Sequence, residues 1–235
     1  MKLKYDCLII DDEHELADNT CEYFNMFDVK TAAVYSSAEA DEFLRNNEPG
    51  LVLLDINLSD GSGFELCKKI RQTLNIPILF ISARNTDDDK IIALNIGGDD
   101  YIEKPYSLGV LLAKVKVVLK RFASSAETEV PKKTDYDDGY LRTDSANKAV
   151  YVNGEEKKIT SIEWKLLEYL IDNKNRLVTK NEIFDKVWND KFTTDGTLNV
   201  HIRKIREAIE KDAQDPKYIV TVWKEGYKFI TPEDN

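Results

Sequence analysis

The sequence predicts two domains in series. The first is an α/β doubly wound domain on a five-stranded parallel sheet, and the second is a smaller α+β domain. Three observations carry this. Short, unbroken apolar runs recur between amphipathic segments over residues 3–122. A stretch of small, charged and proline residues, ASSAETEVPKKTDYDD over 123–138, then interrupts the pattern and can bury little surface. Beyond it the periodicity changes to short alternating strands and capped helices. The resulting boundaries are 1–122, a linker over 123–137, and 138–235, which are ordinary domain sizes.

In the first domain, CLII (7–10), LVLL (51–54) and ILFI (78–81) are too short for helices and lack alternation, as expected of strands buried on both faces. KTAAVY (30–35) is a weaker strand. Another lies around Tyr101-Ile102, before a last helix over 108–121. Ser36 with Glu39, and Ser62 with Glu65, have capping-box spacing at helix starts. A strand followed by a helix, five times over, predicts a parallel sheet covered on both faces.

Such a sheet presents its site beyond the carboxyl ends of the strands. Asp11 and Asp12 follow the first run, Asp55 the third, Ser82 the fourth, and Lys104-Pro105 the fifth. Three carboxylates, a hydroxyl and an ammonium therefore converge on one rim. Carboxylates so placed repel one another unless a cation joins them. Hard oxygen ligands suit Mg²⁺, which retains waters and phosphate oxygens in its shell. An Asp beside the ion can attack phosphorus and form an acyl phosphate. Lys104 then neutralises the phosphoryl oxygens, and Ser82 can hydrogen-bond one of them.

Composition narrows the class further. With 42% hydrophobic and 32% charged residues, disordered, collagenous and coiled-coil chains are excluded. No apolar run approaches the 18 or so residues of a membrane span. The amino terminus, MKLKYDCLIIDDEHE, does not read as a signal peptide. Cys7, Cys21 and Cys67 read as reduced thiols of a cytoplasmic protein rather than a disulfide frame or zinc site. The net charge is −10, which taken alone argues against a nucleic-acid binder. The charge is uneven, however: −7 over 1–123, −2 over 124–137 and −1 over 138–235.

LIIDDE, LVLLDINLSDGSGFELCKKIR, ILFISAR and GGDDYIEKPYS resemble the motifs of two-component response-regulator receiver domains, over residues 3–122. The resemblance implies a flavodoxin-like fold with Asp55 as phosphoacceptor. It implies Mg²⁺ held by Asp11, Asp12, Asp55 and the backbone carbonyl of Asn57. Lys104 becomes the phosphate partner, its bond to Pro105 cis. Ser82 becomes the switch hydroxyl, and Tyr101 the aromatic that turns inward on activation. Asn57 and Arg84, each two residues past a site residue, are expected to tune the lifetime of the acyl phosphate. The helix over 86–98, the following strand and the helix over 108–121 are the dimer face of this subfamily. Lys90, Asp99, Asp100, Lys114, Lys116 and Arg121 supply its charge, and Val110 stands where the subfamily usually has Glu.

The second domain opens with YLRTD, KAVYVNG and KKIT (140–160), broken by turns at Ser145-Ala146-Asn147 and Asn153-Gly154. This is an antiparallel sheet. Thr160 with Glu163, and Thr179 with Glu182, have capping-box spacing into helices. A third helix spans about 195–211, and a hairpin, YIVTVWKEGYKFI, closes the domain over 218–230. On the third helix Leu198, Ile202, Ile205 and Ile209 form one apolar face. Thr197, Val200, Arg203, Lys204 and Glu207 are expected on the opposite face. A helix with such a basic face, beside a hairpin carrying Lys224 and Lys228, can enter a major groove, with Val200 able to meet a thymine methyl.

ITSIEWKLLEYL, LVTKNEIFDKVW, LNVHIRKIR and IVTVWKEGYKF together resemble the winged helix-turn-helix output domain of the OmpR/PhoB subfamily, over about 138–231. The DNA-contact set expected from this is Thr197, Val200, His201, Arg203, Lys204, Arg206, Lys224, Tyr227 and Lys228. The loop over 188–195 is where the subfamily meets RNA polymerase. Gly196, Asn199 and Trp223-Lys224-Glu225 depart from the subfamily pattern. The expectation is a transcription regulator and not an enzyme. It would be phosphorylated at Asp55 by a sensor histidine kinase, dimerise, and bind promoter DNA. The enzyme-class alternative, a phosphoaspartate phosphohydrolase, expects a second Asp two residues after the nucleophile, where this chain has Asn57.

Overall fold

The computed structural model describes residues 2–84, 86–127, 135–189 and 193–231. The chain divides into two compact units, Met1–Glu127 and Thr128–Asn235.

In the first unit β1 (Cys7–Ile10), β2 (Thr31–Val34), β3 (Val52–Asp55), β4 (Ile78–Ser82) and β5 (Asp100–Glu103) form one parallel sheet in the order β2-β1-β3-β4-β5. The crossovers are α1 (His14–Met26), α2 (Ser37–Asn46), α3 (Gly63–Thr73) and α4 (Asp87–Ile96), and α5 (Leu108–Glu127) follows β5. Successive strand residues serve opposite faces. Leu8, Ile10, Val52, Leu54, Ile78 and Phe80 pack with Leu66 and Ile70 of α3 and Ala93 of α4. Cys7, Ile9, Leu53, Leu79 and Ile81 pack with Phe24 of α1 and Leu111 and Val115 of α5. Both faces are thus dry, which is why the strands read as unbroken apolar runs. A short parallel pair, Leu3–Tyr5 with Asn47–Pro49, escaped sequence reading, as did the extension of α5 to Glu127. Residues 128–134 of the expected linker lie outside the described residues.

Gly63 fixes how α3 starts. A Cβ there would come within 1.9 Å of the Asp55 carbonyl oxygen, so only glycine lets the helix begin directly behind the end of β3.

In the second unit β6 (Leu141–Asp144), β7 (Ala149–Val152) and β8 (Glu155–Lys157) form an antiparallel sheet. The tight turn at Asn153-Gly154 has both φ positive, 51° and 81°, as a type I′ hairpin requires. Three helical segments follow: α6 (Ser161–Asp172), α7 (Lys180–Ile183) continued by a wider π-type turn over Phe184–Trp188, and α8 (Asp195–Ile209). The hairpin of β9 (Ile219–Val222) and β10 (Gly226–Phe229) also takes in the two-residue strand Val178–Thr179. Leu166, Leu167 and Leu170 of α6, the α8 apolar face, Trp188 and Phe229 share one core.

Of the four capping boxes expected, the Thr160–Glu163 pair closes in both directions. Ser36 and Thr179 each cap through the hydroxyl alone. Glu39 instead accepts from the Tyr35 N–H, and Glu182 is taken by Arg176 and Tyr169. Ser62 accepts from Phe64 N rather than from Glu65. Among the described residues no helix is long and apolar enough to cross a membrane.

Candidate functional site

The turns after β1, β3, β4 and β5 bring the predicted rim together. Asp11 (0% exposed) and Asp55 (4%) are buried, and Asp12 is partly exposed. One carboxylate oxygen from each lies within 4.8 Å of the others. Lys104 Nζ stands 2.6 Å from Asp55 Oδ2, 2.8 Å from Asp11 Oδ2 and 2.7 Å from Glu13 Oε1. Glu13 was not singled out from sequence, although it directly follows the acidic pair. Burial alone would depress the Lys104 ammonium's pKa, but hydrogen bonds to its three carboxylate partners hold it above the ordinary lysine value. Burial pushes the Asp11 carboxyl up, and Lys104 only partly counters this. Asp11 Oδ2 makes a close ion pair with Lys104 but receives no well-aligned hydrogen bond. A buried carboxylate kept partly unsatisfied, in a cluster of acids facing one ammonium, is a donor set that fits a hard divalent cation.

The neighbouring groups are locally ordered. Asn57 donates its backbone N–H to Asp55 Oδ1 (3.0 Å). Arg84 Nη2 donates to Asn57 Oδ1 at 2.8 Å, so the two residues expected to act together are in contact. Ser82 is fully buried, and its Oγ accepts from the Arg84 N–H. Tyr101 is half-buried and donates its hydroxyl to the Arg84 carbonyl. The Lys104–Pro105 bond is cis.

The expected dimer charges need correction. Asp99 pairs with Arg71 at 2.6 Å and accepts from the Ile78 N–H, while Asp100 pairs with Lys114 at 2.7 Å. Asp99, Asp100 and Lys114 are each buried, so they are internal ion pairs and not surface charges. Arg71 of α3 reaches Asp99 and Lys114 of α5 reaches Asp100, so the helices on either side of the sheet turn these charges inward. Lys90 pairs with Glu103. Lys116 lies 5.9 Å from the Phe27 ring centroid, and Arg121 is half-buried. Among the described residues, large apolar side chains exposed on α4 and α5 are Ile91, Ile92 and Val110.

In the second unit α8 is a capped helix whose outward stripe is Gly196, Asn199, Arg203 and Glu207. Thr197 (7%) and Val200 (6%) were expected on that stripe and are buried. Thr197 turns toward the cap, its Oγ1 3.3 Å from Thr194 Oγ1 beside buried Thr193. Val200 lies opposite the apolar face by helical spacing and outside the hydrophobic cluster, and no described contact accounts for its burial. His201 is fully buried, with Nδ1 3.4 Å from Glu163 Oε1. Arg206 is half-buried and donates to the Ile219 carbonyl and to Thr221 Oγ1, bracing the helix on the hairpin. Tyr227 (4% exposed) donates its hydroxyl to Asn199 Oδ1 at 2.7 Å. His201, Arg206 and Tyr227 therefore position the helix and hairpin. Arg203 and Lys224 are exposed, and Lys204 and Lys228 half-exposed. Asp190, Lys191 and Phe192 of the loop over 188–195 lie outside the described residues.

Family comparisons match both units. Residues 7–116 match the response regulator receiver domain, and 154–229 match the transcriptional regulatory protein C-terminal domain. This chain is a response regulator of the OmpR/PhoB family. It is 35% identical to the uncharacterized transcriptional regulatory protein YcbL of Bacillus subtilis, over 94% of this chain and 98% of that one. It is 34% identical to the regulatory protein VanR of Enterococcus faecium, over 94% and 96%. The fold resembles that of a mutant of RitR, with TM-score 0.72 and 23% identity over 97% of this chain and 98% of that one. As a response regulator it pairs a receiver domain with a DNA-binding domain that regulates transcription, and it is not a classical enzyme.

Proposed function

We propose that this response regulator is switched by phosphorylation of Asp55 in the cytoplasm by a sensor histidine kinase. The observation that carries the reading is the Asp55 carboxylate, buried, oriented by the Asn57 N–H and held 2.6 Å from Lys104 in a cluster of acids. Asp55 attacks the phosphorus of a phosphohistidine. The P–N bond breaks, the O–P bond forms, and the imidazole leaves with the electron pair. Asp11, Asp12, Asp55 and the Asn57 carbonyl are the residues that would hold Mg²⁺, which when bound would neutralise charge on the phosphoryl oxygens. Lys104 exchanges carboxylate partners for a phosphoryl oxygen, and Ser82 hydrogen-bonds another. Arg84 and Asn57 stand at the mouth of the site and limit the approach of the hydrolytic water.

The acyl phosphate then draws Ser82 toward the phosphoryl group and Tyr101 inward, and favours homodimerisation through the α4–β5–α5 face. On that face Lys90, Lys116 and Arg121 remain of the expected charges, beside the exposed Ile91, Ile92 and Val110. Pairing places two winged helices on one stretch of promoter DNA and raises the effective concentration of the second. DNA is met by the outward stripe of α8 and the hairpin lysines, and RNA polymerase by the loop over 188–195. The acidic first unit makes DNA binding by a monomer weak and salt-sensitive.

The test adds a small phosphodonor and Mg²⁺ to the wild type and to Asp55→Ala, then measures labelling, dimerisation and DNA binding. All three rise in the wild type and none in the variant. Equal labelling of the variant would overturn the assignment.

A further inference from the structure

The expected base-reading positions Thr197 and Val200 are buried, which leaves the question of what reads sequence on α8. Asn199 is exposed one turn beyond Gly196 and one turn before Arg203. Helical side chains lean toward the amino terminus, so the Asn199 amide reaches over Gly196. No side chain stands there, and a Cβ at Gly196 would touch only Thr194 Oγ1, at 3.6 Å. Asp195, the other residue of the preceding turn on this side, has its carboxylate drawn to Lys180 Nζ.

The amide is also not free to rotate. Tyr227 is buried on β10 of the hairpin, and its hydroxyl proton goes to Asn199 Oδ1. A buried hydroxyl needs an acceptor, which sets the orientation of the amide: Oδ1 toward Tyr227, Nδ2 outward. An Asn free to rotate can pair both amide atoms with adenine. This one has its oxygen engaged and offers chiefly N–H donors.

We infer that Asn199 is a specificity-determining residue of the DNA interface. Its Nδ2 would read an acceptor on a base edge in the major groove, guanine N7/O6 or thymine O4, with Tyr227 as the positioning residue that aims it. This deepens the proposed function, because it rests on α8 being the DNA-facing helix. Asn199→Asp would replace the donor by acceptors and turn the preference toward the cytosine amino group.

The experiment selects duplexes from a randomised pool with the full chain, phosphodonor-treated. The proteins compared are wild type, N199A, N199D, Y227F, Y227F/N199A and R203A, with thermal unfolding run in parallel. The wild type should prefer guanine or thymine at one base pair of each half-site. In N199A that preference falls by about tenfold at that position alone. In N199D it moves to cytosine. Y227F flattens the same position, and the double variant flattens it no further than N199A, which a general packing defect would not reproduce. An unchanged motif in N199A and N199D, with binding lost in R203A, overturns the inference and leaves the DNA-facing role of α8 standing. A uniform loss across all sequences in N199A makes the contact a phosphate one and equally overturns it. Unchanged binding in R203A as well as in the Asn199 variants overturns the underlying reading of α8.

Discussion

Replacing Glu163 by Gln keeps an acceptor for the Thr160 N–H, which lies 2.7 Å from Oε2, but removes the charge facing His201 and Lys204. Burial pushes this carboxyl up, yet His201, Lys204 and the Thr160 N–H together hold it at about 2, against an ordinary 4.5. A carboxylate depressed by that much adds stability on the order of 3 kcal/mol at neutral pH. The sign follows from the depression. The contribution is complete above the unfolded pKa of 4.5 and is lost as pH falls through about 2. About 2 kcal/mol of it is gone by pH 3. Trp164, Trp188 and Trp223 are the chain's three tryptophans, and all lie in the second unit. Tryptophan fluorescence during urea unfolding of the full chain therefore reports that unit. At pH 7 the wild-type midpoint should exceed that of E163Q by about 1–2 M urea. The gap should shrink by more than half at pH 3. A gap independent of pH would refute the electrostatic account and leave Glu163 a cap alone.

Three further outcomes follow from the geometry. Arg84→Ala frees the Asn57 amide and should change the acyl-phosphate decay rate by about threefold, followed by loss of label; an unchanged rate in the R84A/N57A pair would end that idea. Lys114→Met removes the 2.7 Å partner of buried Asp100 and should destabilise the receiver unit by about 3 kcal/mol, with D100N/K114M recovering much of it in thermal unfolding by circular dichroism. Trp223 is 80% exposed while Trp164 and Trp188 are 5% and 1% exposed, so acrylamide should quench it selectively. Bound duplex should protect it, and equal quenching with and without DNA would remove Trp223 from the interface.

The receiver site was readable because its chemistry sits at the ends of strands. A parallel sheet aligns the carboxyl ends of its strands, so Asp11, Asp12, Asp55, Ser82 and Lys104 had to meet once the apolar runs were recognised as strands. The capping boxes were less readable. Glu39 and Glu182 have the required spacing, but their carboxylates found other partners, the Tyr35 N–H and the Arg176–Tyr169 pair. Spacing identifies who can meet, while competing donors decide who does.

The expected dimer face and the DNA-facing helix mark the other limit. Asp99, Asp100 and Lys114 look like surface charges in a one-dimensional pattern, and Asn199 looks like a departure from a family motif. Element order, sheet direction, domain number and the convergence of the acidic rim with Lys104 are all set by local period and by residue type, which the chain carries openly. Which charges turn inward depends on what packs over them. α3 brings Arg71 onto Asp99, α5 brings Lys114 onto Asp100, and the hairpin brings Tyr227 onto Asn199 from 28 residues away. Burial and hydrogen-bond partnership are properties of neighbours brought together by folding, so they became legible only when the elements were packed.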